Sequence, residues 1–141
     1  MIIFLDFDGV THPRSGAPAF LPKCMRALRE ALDNFDAEIV VSSSWRETNH
    51  FWELVGFLKP LGKPVAGVTP VIDAPFTKCV RHAEIVEYLA DNGQSDAEWI
   101  AIDDTPGFFP EGCQHVYFTD PTTGFTSDDV EKLLHRCLHK G

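Results

Sequence analysis

Two aspartates close the first apolar run of the chain, IIFLDFDGV over residues 2–10. Spaced i, i+2 in an extended segment, Asp6 and Asp8 would share one face about 6–7 Å apart. Two more, Asp103 and Asp104, follow the apolar run WIAI, and Ser42, Ser43 and Ser44 follow EIVV. Carboxylates brought together in this number repel unless a cation or a proton neutralises them. The donor set Asp6, Asp8, Asp104 and Asp103 is all oxygen. It therefore suits Mg²⁺, which accepts a few carboxylates and completes its shell with water and phosphate oxygens. Zinc would call for histidine or cysteine at these positions.

With a metal and a phosphate in place, Asp6 can attack phosphorus as a carboxylate nucleophile. Asp8 then serves as acid for the leaving oxygen and base for water, which requires neighbours that keep its proton on. Gly9 allows a sharp turn beneath a bound phosphate. Ser42 is the first choice for a phosphoryl ligand and Ser43 the second, because hydroxyls and N–H groups at a helix start attract anions; Ser44 is read as a helix cap. Arg46 has two readings, substrate phosphate or a surface acid. Arg81 and Lys78 are the candidate cations for charge developing on the transferring group.

Short apolar runs at 2–5, 38–41, 65–68, 99–102 and 115–118 read as buried strands, and apolar spacing over 21–34, 46–58, 79–92 and 127–138 predicts helices. Alternation of the two predicts an α/β fold with a central parallel sheet covered on both faces. Ligands bind such sheets beyond the carboxyl ends of the strands, where strand order switches. That is where the aspartates and serines fall. The Pro-containing segment 9–20 is expected as a loop placed to cover that edge, and Asp120 in TDPTTGF lies in a second loop facing it.

A chain of 141 residues with 44% hydrophobic and 23% charged residues fits one globular domain, 1–141, rather than a disordered segment. No apolar run approaches the roughly 20 residues of a membrane span, and the first residues lead straight into a strand-like run, so a cytoplasmic protein is expected. Cys24, Cys79, Cys113 and Cys137 form no CxxC pair and read as packed or incidental thiols. A net charge of −9 without a basic stripe argues against an extended nucleic-acid footprint.

DFDGV, IVVS and IAIDDTP together resemble the first, second and fourth motifs of the haloacid dehalogenase (HAD) superfamily of phosphohydrolases. The resemblance implies a HAD-like Rossmannoid three-layer sandwich with Asp6 as nucleophile and Asp8 as acid/base. It implies Mg²⁺ held by Asp6, the backbone carbonyl of Asp8 and an aspartate of the fourth motif, Asp104 ahead of Asp103. SSSWR, GVTP, RxxEI and DDxxxxF are similar to a subgroup of small HAD domains associated with Swiss Army Knife RNA repair proteins. In that subgroup Arg81 takes the place of the usual third-motif lysine, with Lys78 as the alternative. The short spans between motifs leave no room for a large cap domain.

The expected function is Mg²⁺-dependent hydrolysis of a phosphomonoester, either a small metabolite or nucleotide or a polynucleotide end. Its rival is a non-catalytic phosphate- or partner-binding module on the same fold. His12 has two readings, a helper of the acid step or, as the first choice, a solvated loop histidine; Trp45, Phe51 and Trp52 are read as packing groups rather than a stacking platform. Phe108 and Phe109 either fold into the core or rim the substrate mouth.

Overall fold

A computed structural model describes residues 1–16, 18–73 and 77–138. Its five strands are β1 (Ile2–Leu5), β2 (Glu38–Val41), β3 (Val65–Val68), β4 (Trp99–Asp103) and β5 (Val116–Phe118), and its helices are α1 (Pro22–Leu32), α2 (Phe51–Leu58), α3 (Val80–Asp91) and α4 (Ser127–Leu138). The strands form one sheet in the order β3-β2-β1-β4-β5, with every pair parallel.

Alternation along the strands divides the core in two. Ile3, Leu5, Ile39, Val41, Ile100 and Ile102 face a layer built by α1, α2 and α4, through Leu28, Leu32, Leu54, Leu58, Val130 and Leu133. Ile2, Phe4, Val40, Trp99 and Ala101 face Ile85, Tyr88 and Leu89 of α3. The result is the expected α/β three-layer sandwich, with no cap domain among the described residues. No helix of the described residues is long and apolar enough to cross a membrane.

The helix expected from residue 46 is broken. A 3₁₀ turn spans Ser44–Glu47, and α2 begins only at Phe51. The Asn49 amide donates to the Trp45 carbonyl at 3.0 Å, and the Glu53 carboxylate accepts the His50 N–H at 2.9 Å. These local polar contacts stop one helix and start another. Ser43, not Ser44, is the cap, accepting the Trp45 N–H at 3.2 Å. The break also corrects the reading of Phe51 and Trp52 as packing groups: both are exposed, Trp52 at 79%. Trp45 does pack, edge-on against Phe7, Phe20 and Phe57.

Strand order reverses at β1, since β2 and β3 lie to one side of it and β4 and β5 to the other. The crevice expected at such a reversal opens beyond the carboxyl ends of β1 and β4.

Candidate active site

Register decides which side chains meet there. Leu5 pairs with Val41 on one side and Ile102 on the other, so Ser42, Asp6 and Asp103 come next in a row across three strands. By strand alternation Asp6 and Asp103 turn toward the α3 face, and Arg81, in the first turn of α3, meets both. Its Nη1 lies 3.3 Å from Asp6 Oδ1 and 3.3 Å from Asp103 Oδ2. Its guanidinium also sits over the Phe108 ring, 5.2 Å from the centroid. Asp104 has the opposite parity and meets Arg14 from the loop after β1, accepting Nη2 at 2.6 Å and Nε at 3.0 Å.

Asp6, Asp103 and Asp104 are all buried, with carboxylate oxygens within 4.8 Å of one another. Burial and the neighbouring Asp103 push the Asp6 carboxyl well above its ordinary range, against the pull of Arg81. Asp103 is raised to about 6, again chiefly by burial and with Arg81 opposing. Three buried carboxylates within reach of one another, two of them resisting ionisation and all offering only oxygen donors, fit a hard divalent cation such as Mg²⁺. Asp6, Asp103 and Asp104 would hold it.

Asp8 does not join this group. The chain turns after Phe7, whose carbonyl accepts the N–H groups of Val10 and Thr11, both at 2.9 Å. The turn carries the Asp8 side chain away from Asp6, correcting the expectation that four carboxylates converge and leaving only the Asp8 backbone for a metal. The Asp8 carboxylate accepts from His12 Nε2 at 2.9 Å and from Trp45 Nε1 at 3.3 Å. Phe20 donates its N–H to His12 Nδ1 at 3.1 Å, so the imidazole proton sits on Nε2, facing Asp8. His12 is 4% exposed, which overturns its reading as a solvated residue.

A pocket of about 300 Å³ is lined by Asp6, Asp8, Arg14, Ser44, Arg81, Asp104, Thr105 and Phe108. Phe108 rims this mouth while Phe109 folds into the core. Lys78 is exposed and does not line the pocket, whereas Arg81 does. Gly9 adopts φ +78°, and a Cβ there would lie 2.0 Å from Asp104 Oδ2. It is demanded by the close approach of that carboxylate as well as by the turn. The Ser42 hydroxyl is buried and has no hydrogen-bond partner among the described residues.

Arg46 does not face the pocket: it pairs with an acid, as one of its two readings has it, but that acid is the buried Glu84 and not a surface group. Nε donates to the Thr69 carbonyl, Nη1 to those of Ser42 and Ser43, and Nη2 to that of Pro70. Nη2 also lies 2.9 Å from Glu84 Oε2. All five N–H groups are thereby committed, and none is left for phosphate. Asp120 is likewise turned to its own loop, accepting the N–H and hydroxyl of Thr122.

Residues 2–130 match the family described as the HAD domain in Swiss Army Knife RNA repair proteins. The chain belongs to that family. No curated protein and no solved structure matches it.

In this HAD domain Arg14 and Glu84 have no role from the sequence, and His12, read there first as solvated, contacts Asp8 as its second reading has it. Arg14 was legible only as a basic residue in the loop expected to cover the site. Glu84 stood in the RxxEI motif without a role; it bridges Arg46 and Arg81, whose Nε lies 3.7 Å from Glu84 Oε1.

Proposed function

We propose that this HAD domain hydrolyses a phosphomonoester through a phosphoryl group carried on Asp6. The observation that supports this best is the separation of the two first-motif aspartates. Asp6 is grouped with Asp103, Asp104 and Arg81, whereas Asp8 is held by His12 and Trp45, and both line the same pocket.

An Asp6 carboxylate oxygen attacks phosphorus, the ester P–O bond breaks, and Asp8 gives its proton to the leaving oxygen. Water then attacks phosphorus, Asp8 takes the water proton, and the bond from Asp6 to phosphorus breaks to release inorganic phosphate. Arg81 and the exposed side of Arg14 supply positive charge toward the transferring group, and the Ser42 hydroxyl, unpartnered at the end of β2, is the candidate hydroxyl donor to its oxygens. Mg²⁺, held by Asp6, Asp103 and Asp104, would supply neutralisation of the phosphoryl charge. The small open pocket admits a metabolite, a nucleotide or a polynucleotide end. The family description, which concerns RNA repair proteins, supports the last of these.

A second reading, a phosphate-binding module without turnover, draws on the Arg14–Asp104 contact, because a guanidinium there supplies positive charge without a metal. Phosphate release from an aryl phosphate with Mg²⁺, in wild type, Asp6→Asn and Asp8→Asn, separates the two. Turnover that needs Mg²⁺ and is lost in both variants supports hydrolysis. A folded protein that binds Mg²⁺ and releases no phosphate from any ester supports the module. Oligonucleotides phosphorylated at the 3′ or the 5′ end, assayed in parallel, decide between polynucleotide ends and small substrates.

A further inference from the structure

A second concavity, about 520 Å³, adjoins the phosphate pocket and shares Asp8 and Ser44 with it; Trp45, Glu47, Thr48 and Asn49 form the remainder of its lining. On the footing of the phosphatase reading, we propose that this groove is the leaving-group subsite and that it takes a polyhydroxylated leaving group with no second anionic group near the ester, so that the substrate is a sugar phosphate or mononucleotide in preference to the polynucleotide end that the family description supports.

Position is the first argument. The proton donor to a leaving oxygen must lie within hydrogen-bond reach of it. Asp8 stands at the boundary of the two concavities, with the Asp6, Asp104 and Arg81 pocket on one side and the groove on the other. A phosphoryl group on Asp6 therefore places the rest of its ester beyond Asp8, in the groove.

Chemistry is the second. The Asn49 amide nitrogen donates to the Trp45 carbonyl and to Thr48 Oγ1, which leaves its amide oxygen as the acceptor that half-buried Asn49 brings to the lining. Glu47 is exposed, and its carboxylate makes no hydrogen bond or ion pair among the described residues. The indole N–H of Trp45 is already directed at Asp8, and its ring is fixed against Phe7, Phe20 and Phe57, so it forms a rigid wall. Acceptors outnumber free donors along this lining. Hydroxyl groups, as on ribose, complement it, whereas a second phosphate would meet Glu47 with like charge.

The test measures kcat/KM for phosphate release from ribose 5-phosphate, uridine 5′-monophosphate, uridine 3′,5′-bisphosphate and an aryl phosphate, in wild type, Glu47→Gln and Glu47→Lys. Wild type is expected to favour the monophosphate over the bisphosphate by about tenfold, the effect of one like charge at close range. Glu47→Lys is expected to abolish or invert that ratio, with Glu47→Gln between. Equal rates on ribose 5-phosphate and uridine 5′-monophosphate assign recognition to the sugar, and faster turnover of the nucleotide assigns it to the whole nucleoside. A ratio that Glu47→Lys leaves unchanged overturns the proposal.

An NMR titration of wild type with ribose and with uridine is read at the Asn49 side-chain amide and the Trp45 indole N–H. It tests the groove without turnover. If no ester is hydrolysed, the phosphatase reading falls by itself. Shifts at Asn49 and Trp45 then sustain the groove as a sugar site, and their absence overturns that too.

Discussion

His12 donates from Nε2 to Asp8 Oδ1 at 2.9 Å, and the backbone N–H of Phe20 on its other nitrogen fixes where that proton sits. The pair links the loop after β1 to the proton-transfer residue. Substituting His12→Phe keeps an aromatic ring among Phe20 and Trp45 but removes the donor. Hydrogen bonds to a charged group contribute about 1.5–3 kcal/mol, so kcat is expected to fall about 10- to 100-fold. KM should change less. The lost acceptor for the Phe20 N–H adds about 1 kcal/mol of destabilisation, read from the melting temperature. A kcat within twofold of wild type would show that His12 only packs.

Arg46 and Glu84 form a buried pair that clamps the segment after β2 to the one after β3. Their side chains are 3% and 6% exposed, and the Glu84 carboxylate also takes the Ile72 N–H at 3.0 Å. Removing one partner of a buried pair leaves an uncompensated charge and costs about 3–5 kcal/mol. Glu84→Ala is expected to lose stability on that scale, and to lose activity further because Arg81 loses a neighbour that orients it. Arg46→Lys is the sharper test. A lysine cannot serve four carbonyls and a carboxylate at once, so stability should drop while KM for phosphate esters stays close to wild type. A large rise in KM with unchanged stability would return Arg46 to the substrate site.

How much of this was legible beforehand depended on the kind of signal. Strand runs such as IIFL and EIVV declare themselves by composition, and their carboxyl ends fix Asp6, Ser42 and Asp103 in one row once the strands pair in register. The direction of a side chain after a strand ends is set by the turn, not the pattern. Grouping the Asp8 side chain with Asp6 fails because the chain folds back over GVTH and bridges Asp8 to His12. Buried polar residues were also hard to read. Arg46, Glu84 and His12 look like ordinary surface groups until tertiary contacts satisfy their donors and acceptors. The helix over 46–58 failed because the polar stretch ETNH makes capping bonds that apolar spacing does not reveal.

Asp6 and Asp103 make stability depend on pH and metal together. The folded-state Asp103 carboxyl titrates at about 6, above its ordinary 3.8, and Asp6 is raised in the same direction. Between those values the folded chain binds more protons than the unfolded one. The Asp103 contribution is thus fully present below about pH 4 and is lost as pH rises through about 6, and Asp6 acts in the same direction. Melting in the presence of a chelator is expected to show that decline from pH 4.5 to 7.5. Mg²⁺ should offset it, so that its stabilising increment grows with pH. Asp103→Asn should flatten the decline and shrink the increment. An increment of equal size at pH 5 and 7.5 would separate metal binding from these carboxylates.

Gly9 tests the packing of the site most directly. At φ +78° an alanine is strained by about 1–3 kcal/mol whatever the space. Here the space is also filled, since the new Cβ would meet Asp104 Oδ2, Cγ and Cβ at 2.0, 2.5 and 2.9 Å. Asp104 is held at Oδ2 by Arg14 and at Oδ1 by the Thr105 hydroxyl, so it cannot withdraw without straining those bonds. Gly9→Ala is expected to lower the melting temperature and to weaken Mg²⁺ binding at least tenfold, a factor that corresponds to about 1.4 kcal/mol. A remote destabilising change, such as Leu133→Ala in the core beneath α4, should lower the melting temperature without that loss of metal affinity. If both variants bind Mg²⁺ as wild type does, Asp104 is not a ligand, and the metal role passes to Asp6 and Asp103 alone.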